Sequence, residues 1–361
     1  MKGEGFEDLI RSWDGEEVLA RFDEPAGAWM FVCVHSTLMG PATGGVRMKT
    51  YATPHEALLD CMRLSSLMTL KTAVSGLPMG GGKSVIAVPE VPAPGSEERR
   101  RVMERFGMMV GSLQGTYWSG PDMNTSEQDM DVLWDVAPYT FGRSPARGGS
   151  GDSAPDTAEG VLHGIKATVA RAFGSPDLSG RTVLVEGVGG VGSRLAELLA
   201  KENASLLVAD IDQERVTEIA ERLAAGMVAP GDVIGAECDV YAPCAVGWTV
   251  NEETIPRLRC RAVAGAANNQ LGELVHDAER LRRAGILYAP DYVINAGGAF
   301  HLIGYETLGW SRDEVDRHIT GIGDTMTRIF ERADEQGIST ELAAERIAKD
   351  RLAKAGNPPT R

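Results

Sequence analysis

The segment between residues 182 and 210 places the strongest constraint on how this chain can fold. An apolar strand predicted over Thr182–Val185 leads into Gly187-Val188-Gly189-Gly190-Val191-Gly192, and a helix is predicted to open near Ser193. A second apolar strand, Leu206–Ala209, ends at Asp210. This order of strand, glycine turn, helix and strand is typical of a βαβ unit, which requires a parallel sheet covered by helices.

The spacing of the glycines indicates a dinucleotide site. The first glycine permits a tight turn, the second lets the backbone approach a diphosphate, and the third lets helix meet strand. Asp210 lies 18 residues after Gly192, where a carboxylate can accept both hydroxyls of an adenosine ribose. With Asp212 beside it, this charge repels a 2′-phosphate and favours NAD over NADP, whereas Arg215 nearby opposes that preference. The glycines alone also fit a plain turn.

The rest of the chain divides into two parts. Helices and short apolar strands alternate after a Gly-, Ser- and Pro-rich linker at 141–155. We therefore predict an α/β protein of two domains: an N-terminal α/β domain over 1–145, and a Rossmann-type, doubly wound parallel-sheet domain over 146–325. C-terminal helices, about 326–361, are expected to return to the first domain.

Composition excludes several classes of protein. The 361 residues carry 51 acidic and 36 basic side chains, a formal charge of −15, which argues against nucleic acid or an anionic membrane as a partner. The five cysteines are scattered, which is typical of reduced thiols. The six histidines show no metal-ligand spacing, so no metal site is expected. The acidic stretch 1–8 lacks the apolar run of a signal peptide. We expect a cytoplasmic protein.

Two lysines and one aspartate in the first part suggest acid–base chemistry. Lys71 ends an apolar helix predicted over 54–70, and Lys83 follows twelve residues later, after three glycines that suit close approach of a ligand. Burial and a neighbouring cation favour a neutral lysine side chain, which can act as a base. Asp122 supplies a carboxylate just before another helix start. Each of these residues alone also fits a surface charge or a turn.

Ordered motifs carry a wider resemblance. The segments are 41–47, 68–71, 78–83, 120–125, 157–161, 187–192, 264–269 and 290–298. Together they resemble the glutamate/leucine/phenylalanine/valine dehydrogenase family over roughly residues 12–350, and most resemble its actinobacterial phenylalanine dehydrogenases. The resemblance implies reversible oxidative deamination of an L-amino acid by NAD, in a homo-oligomer of two or more subunits. It also makes residues 1–145 the substrate-binding, catalytic and oligomerisation domain.

The resemblance also assigns roles to residues. Lys71, helped by the amide of Asn268, would hold the substrate carboxylate; Lys83 would activate water as general base; Asp122 would exchange protons at the amino nitrogen. Thr157 and Asn295 would contact the nicotinamide carboxamide. The full cofactor set is Arg47, Ser153, Thr157, Gly187, Val188, Gly189, Gly190, Val191, Gly192, Asp210, Ile211, Ala245, Val246, Ala266, Ala267, Asn268 and Asn295.

The resemblance places the substrate side chain against Thr43, Gly44, Gly120, Pro121, Ala299 and Leu302. Glutamate-specific relatives carry a lysine at the position of Thr43, so glutamate is not expected. Small Gly120 and Ala299 leave volume for an aromatic ring. We therefore expect L-phenylalanine first and the branched amino acids leucine and valine second. Two other possibilities stay open: a 2-hydroxy acid dehydrogenase, which usually needs a catalytic histidine, and a non-catalytic dinucleotide-binding regulator.

Overall fold

The chain folds into two compact units. The computed structural model describes residues 6–356. Residues 1–5 of the acidic N-terminal stretch and residues 357–361 of the expected C-terminal helices lie outside the described residues. Unit 1 consists of Met1–Gly151, Leu302–Gly309 and Ala348–Arg361, and unit 2 of Asp152–His301 and Trp310–Ile347. A two-domain α/β chain is confirmed. The chain leaves unit 1 after Gly151, a few residues beyond the predicted boundary.

Unit 1 is built on a mixed five-stranded sheet. Its elements are α1 (Phe6–Trp13), β1 (Glu17–Asp23), β2 (Ala28–Ser36), β3 (Ala42–Lys49), α2 (Pro54–Ser75), β4 (Gly80–Ala87), α3 (Glu97–Ser112), β5 (Tyr117–Pro121) and α4 (Glu127–Val136). The strand order is β1-β2-β4-β3-β5. β1, β2 and β4 pair antiparallel, whereas β3 pairs parallel with both β4 and β5. The predicted helix from 54 extends to Ser75, where Gly76 ends it in a left-handed conformation.

The glycine run of β4 is required by packing inside the protein. A Cβ on Gly80 would lie 2.0 Å from the carbonyl oxygen of Ser36. On Gly81 it would lie 2.1 Å from the backbone nitrogen of Thr69 on α2, and on Gly82 it would lie 2.8 Å from the ring of Tyr117. Protein atoms, rather than the ligand we expected from the sequence, therefore explain this run. The close approach lets α2, which carries Lys71, lie directly on the strand that carries Lys83.

Unit 2 is built on a parallel six-stranded sheet. Its elements, two of which (α10 and α12) also contribute residues to unit 1, are α5 (Ala154–Phe173), β6 (Thr182–Glu186), α6 (Gly190–Lys201), β7 (Ser205–Ala209), α7 (Gln213–Leu223), β8 (Gly226–Met227), β9 (Val240–Pro243), β10 (Ala262–Val263), α8 (Leu274–Arg283), β11 (Leu287–Tyr288), α9 (Asp291–Ile294), α10 (Gly297–Glu306), α11 (Arg312–Gln336) and α12 (Thr340–Gly356). The two strands predicted around the glycine loop, Thr182–Val185 and Leu206–Ala209, correspond to β6 and β7, and their ends differ from the prediction by one residue.

The strand order of unit 2 fixes where a ligand can bind. The order is β11-β10-β9-β6-β7-β8, so the chain progresses outward in opposite directions from β6 and β9. Ligands of open parallel sheets bind at the carboxyl ends of the strands beside such a switch point. The loop at 187–192 follows β6 and residues 244–248 follow β9, which places both at this position. Across residues 6–356, no helix has both the length and the apolar character needed to cross a bilayer.

Candidate active site

A buried ion pair lies at the centre of the predicted catalytic residues of unit 1. Nζ of Lys83 lies 2.8 Å from Oδ2 of Asp122. The side chain of Lys83 is 8% exposed and that of Asp122 is 28% exposed, so the pair opens to solvent on the aspartate side. A hydrogen bond of this length between an amine and a carboxylate allows a proton to pass between them. The two predicted catalytic residues are therefore in direct contact.

Arg47 contacts the same carboxylate. Its Nε lies 3.1 Å from Oδ2 of Asp122, and its Nη1 donates to Oδ2 of Asp60 at 3.0 Å. The hydroxyl of Tyr51 also donates to Asp60, at 2.7 Å. Arg47 therefore bridges two carboxylates of unit 1, whereas the sequence assigned it to the cofactor groove. Sequence reasoning missed Asp60 because it lies inside α2, 62 residues from Asp122, with no motif around it.

These charges set the ionisation of Asp122. Burial opposes the charged form, but the ammonium of Lys83 and the guanidinium of Arg47 outweigh it, so the pKa of Asp122 lies below its ordinary value of 3.8. Asp122 is thus a carboxylate at neutral pH. It can accept a proton when Lys83, 2.8 Å away, gives up its own proton to it.

A tight turn fixes the Asp122 backbone. Oγ1 of Thr125 accepts from the Asp122 amide at 2.8 Å and donates to the carbonyl oxygen of Val46 at 2.8 Å. Asn124 has a φ of 58° and donates to the carbonyl oxygen of Met48 at 3.0 Å. The turn is therefore tied to β3 at two points. Gly45 on β3 is needed here, because a Cβ at that position would lie 2.8 Å from Cβ of Asp122.

Lys71 and the expected side-chain wall occupy different environments. Lys71 is partly buried near the end of α2. Thr43 has no exposed surface, and its Oγ1 has no hydrogen-bond partner among the residues that the structure describes. Gly44 and Gly120 are also buried, whereas Pro121 and Leu302 are partly exposed. Three predicted wall residues, Thr43, Gly44 and Gly120, thus offer a ligand little or no surface in this conformation.

Phe141 explains why Gly120 is covered. A Cβ on Gly120 would lie 2.1 Å from Cε2 of the Phe141 ring, so the ring lies directly over the glycine. The expected extra volume at Gly120 is therefore occupied. Phe141 had no sequence signal, because it lies at the start of the segment that read as a linker.

In unit 2, the glycine loop has the geometry that the sequence predicts. Gly187 has a φ of 90°, and a Cβ there would lie 2.6 Å from that of Ala245. A Cβ on Gly192 would lie 1.8 Å from the carbonyl oxygen of Gly187. A Cβ on Gly189, in contrast, meets nothing within 4 Å. Two glycines therefore shape the loop, and the middle one leaves open space at the start of α6, where helix amides attract an anion.

Asp210 supports the loop and retains acceptor capacity. Its Oδ2 accepts from the amide of Val188 at 2.8 Å, and its Oδ1 accepts from the amide of Asp212 at 3.0 Å. A carboxylate has about four lone-pair sites, so capacity for ribose hydroxyls remains. Arg215, the cation that opposed an NAD preference, is paired with Asp212 at 3.1 Å.

Two asparagines present an amide at the same edge of the sheet. Nδ2 of buried Asn295 donates to Oδ1 of Asn268 at 2.7 Å and to the carbonyl oxygen of Ala266 at 3.2 Å. Asn268 is exposed, and this contact orients its amino group as a donor. At the start of α5, Oγ1 of Thr157 donates to the carbonyl oxygen of Ser153 at 2.8 Å.

Exposed apolar side chains complete the fit to a dinucleotide. Ile211 and Val246 are 89% and 69% exposed, and they follow β7 and β9 on either side of the glycine loop. Exposed aliphatic side chains beside an open anion-binding helix start suit the flat faces of a nucleotide base.

The remaining predicted cofactor positions differ in how exposed they are to solvent. Ala245 and Gly190 are exposed; Val191, Ala266, Ser153 and Thr157 are partly exposed; Val188 and Ala267 are buried supports; and Ala299, a predicted wall residue on α10, is partly exposed.

Comparisons with known proteins identify the family of the chain. Residues 27–139 match the family model described as "Glu/Leu/Phe/Val dehydrogenase, dimerisation domain", and residues 148–357 match "Glutamate/Leucine/Phenylalanine/Valine dehydrogenase". The chain is 41% identical to a leucine dehydrogenase of Thermoactinomyces intermedius, covering 96% of this chain and 93% of the relative. A phenylalanine dehydrogenase of Caldalkalibacillus thermarum is 37% identical, covering 94% and 91%. The crystal structure of L-tryptophan dehydrogenase from Nostoc punctiforme superposes with a TM-score of 0.86 at 34% identity, covering 97% of this chain and 99% of that one.

The fold, the sites and these matches define the class: the chain is an oxidoreductase that acts on the CH–NH2 group of an amino acid. It belongs to the glutamate, leucine, phenylalanine and valine dehydrogenase family. This confirms the predicted family, fold class and enzyme class. NAD is the cofactor of the leucine, valine and phenylalanine dehydrogenases of this family, and the predicted cofactor is confirmed.

Proposed function

We propose that this protein catalyses the reversible oxidative deamination of an apolar L-amino acid: the amino acid, NAD and water give the 2-oxo acid, ammonium, NADH and a proton. The observation that carries this proposal is the 2.8 Å contact between Nζ of Lys83 and Asp122, enclosed except on the aspartate side. An amine and a carboxylate in direct contact supply the proton transfers that amine chemistry needs.

The two residues divide the proton transfers. Bound NAD supplies the hydride acceptor, and the substrate becomes an electrophilic iminium when hydride leaves its α-carbon. Lys83 passes its proton to Asp122 and, as a neutral amine, takes a proton from the attacking water. Asp122 returns the proton it received to the amino nitrogen, which then leaves the carbinolamine and, with the hydroxyl proton, becomes ammonium. Lys71 holds the substrate carboxylate. We assign Arg47 a positioning role, since its guanidinium holds Asp122 ionised and oriented at 3.1 Å.

The cofactor preference follows from charge at the end of β7. Asp210 keeps acceptor capacity for ribose hydroxyls, and its negative charge opposes a 2′-phosphate. Arg215 is already paired with Asp212 at 3.1 Å, which leaves less positive charge to attract that phosphate. We therefore propose that NAD is preferred strongly over NADP.

The substrate is a branched aliphatic amino acid, leucine ahead of valine, in this proposal. The ring of Phe141 fills the volume that led us to favour phenylalanine, and the leucine dehydrogenase relative is more similar to this chain than the phenylalanine dehydrogenase, at 41% against 37%. An aromatic substrate is the second candidate. Small Ala299 and the L-tryptophan dehydrogenase structure at 34% identity favour it.

The test is NADH formation with a panel of L-amino acids at alkaline pH, each run with NAD and NADP. We expect kcat/KM to be highest for leucine with NAD, with no reaction of D-leucine or of L-glutamate. Lys201→Gln, an exposed lysine on α6, serves as a control for charge removal. Silence across the panel with intact NAD binding would refute the proposal and favour a regulatory protein.

We also propose that the chain functions as a homo-oligomer. Residues 27–139 match a domain described as a dimerisation domain, and β1 lies at an edge of its sheet, where backbone groups remain available for pairing. Light scattering coupled to gel filtration tests this; a monomer at assay concentration contradicts it.

A further inference from the structure

The ring of Phe141 lies on the same sheet face as the catalytic carboxylate. Gly45 and Gly120 are register partners on β3 and β5, and side chains of paired residues point to the same face. A Cβ on Gly45 points at Cβ of Asp122, 2.8 Å away, and a Cβ on Gly120 points at the Phe141 ring, 2.1 Å away. The ring and the Asp122 side chain therefore lie on the same face of this sheet, over neighbouring strands.

The Phe141 backbone is held in place. Its amide donates to the carbonyl oxygen of Ser119 on β5 at 3.0 Å. The residue is 7% exposed, so little of it is free to meet a ligand. A buried ring packed over Gly120 has little room to move aside, because protein interiors are closely packed.

Glu306 secures the segment that follows the ring. Its carboxylate, 2% exposed, accepts from the amide of Gly142 at 3.0 Å and from the hydroxyl of Ser150 at 2.7 Å. Leu302 lies one turn earlier on α10, and its Cδ1 is 4.0 Å from where a Cβ on Gly142 would lie. Phe141 and Leu302 are thus brought to the same part of unit 1 by one buried carboxylate.

We propose that Phe141 is a specificity-determining residue that sets the upper size limit of the substrate side chain. The proposal rests on the proposed amino acid dehydrogenase function and deepens it. The ring takes the place of a side chain at Gly120, closes the pocket at that point, and accommodates branched aliphatic side chains while excluding bicyclic ones. Removing the ring uncovers Gly120 and lengthens the pocket.

The test compares kcat/KM for L-tryptophan with kcat/KM for L-leucine in wild type, Phe141→Ala and Phe141→Leu. A ratio within each variant cancels losses that affect all substrates equally. We expect Phe141→Ala to raise the tryptophan-to-leucine ratio by about tenfold or more, since one methylene in an apolar pocket changes selectivity by roughly 10- to 200-fold. Phe141→Leu raises it less, and it replaces the alanine variant if that variant does not fold.

Two further variants sharpen the result. Phe106→Leu makes a comparable cavity in the core around α3 and leaves the ratio unchanged. Gly120→Ala added to Phe141→Ala refills part of the opened volume and moves the ratio back towards wild type. An unchanged ratio in an active Phe141→Ala enzyme overturns this proposal alone, whereas a wild-type enzyme silent on every amino acid overturns the proposed function and this proposal with it.

Discussion

Glu341 is a buried carboxylate whose ionisation makes the stability of the fold depend on pH. It lies on α12, is 3% exposed, and its Oε2 has no hydrogen-bond partner within the described part of the chain. Burial and the nearby carboxylate of Asp291 raise the pKa of Glu341 to about 8 from its ordinary value of 4.5, and Glu345 adds to the effect. Asp291 also accepts from the amide of Gln270 at 2.8 Å, close to the loop that presents Asn268.

The sign and size of the effect follow from proton linkage. Below pH 4.5 Glu341 is protonated in both the folded and unfolded chain, so its ionisation does not change the free energy of unfolding. Between 4.5 and about 8 only the unfolded chain loses the proton, so the free energy of unfolding falls as the pH rises. At 1.36 kcal/mol for each pH unit, the loss reaches an upper limit of about 5 kcal/mol. Glu341→Gln removes this loss.

The assay is urea denaturation followed by tryptophan fluorescence at several pH values from acid to alkaline. We expect the stability advantage of Glu341→Gln over wild type to grow with pH by a few kcal/mol and to level off above about 8. Glu331→Gln, an exposed position on α11, is the matched control and shows no such trend. A difference between Glu341→Gln and wild type that is the same at every pH would refute the reasoning.

Three further predictions concern the sites. In Arg47→Met, loss of the guanidinium raises the pKa of Asp122, so the acidic limb of the pH profile of kcat/KM moves to higher pH; an unmoved limb contradicts the positioning role. Glu306→Gln breaks a buried ion pair and lowers the free energy of unfolding by about 3–5 kcal/mol, measurable by urea denaturation, and an unchanged value contradicts this. Gly192→Ala displaces the glycine loop and weakens NAD binding in calorimetry, whereas Gly321→Ala, with open space around it, leaves binding intact.

Local patterns predicted much of unit 2. The strand before Gly187, the glycine spacing and the aspartate after β7 each depend on residues close in sequence, so periodicity and turn chemistry sufficed. The same holds for the start of α2, where Thr53 caps the helix and Pro54 opens it. The catalytic roles of Lys83 and Asp122 came from the family resemblance. Their direct contact joins two residues that are far apart in sequence and that no local pattern connects.

Long-range packing accounts for the differences between the predictions made from the sequence and the structure. The glycines at 80–82 read as a ligand loop, but their neighbours are protein atoms from distant segments. Arg47, on β3, contacts the carboxylates of Asp60 and Asp122, which no local pattern connects to it. Phe141 fills the space over Gly120, a contact that depends on how β5 and the following segment meet. None of these contacts has a signal within a few residues.

The central claim is that Lys83 and Asp122 move the protons of the reaction while other residues hold the cofactor. The most direct measurement compares Lys83→Met and Asp122→Asn with wild type, recording both the rate of NADH formation from L-leucine and the Kd for NADH by fluorescence. We expect both rates to fall by about 10²- to 10⁴-fold, as loss of general acid–base catalysis dictates, with Kd unchanged. Near wild-type rates in either variant would contradict the account.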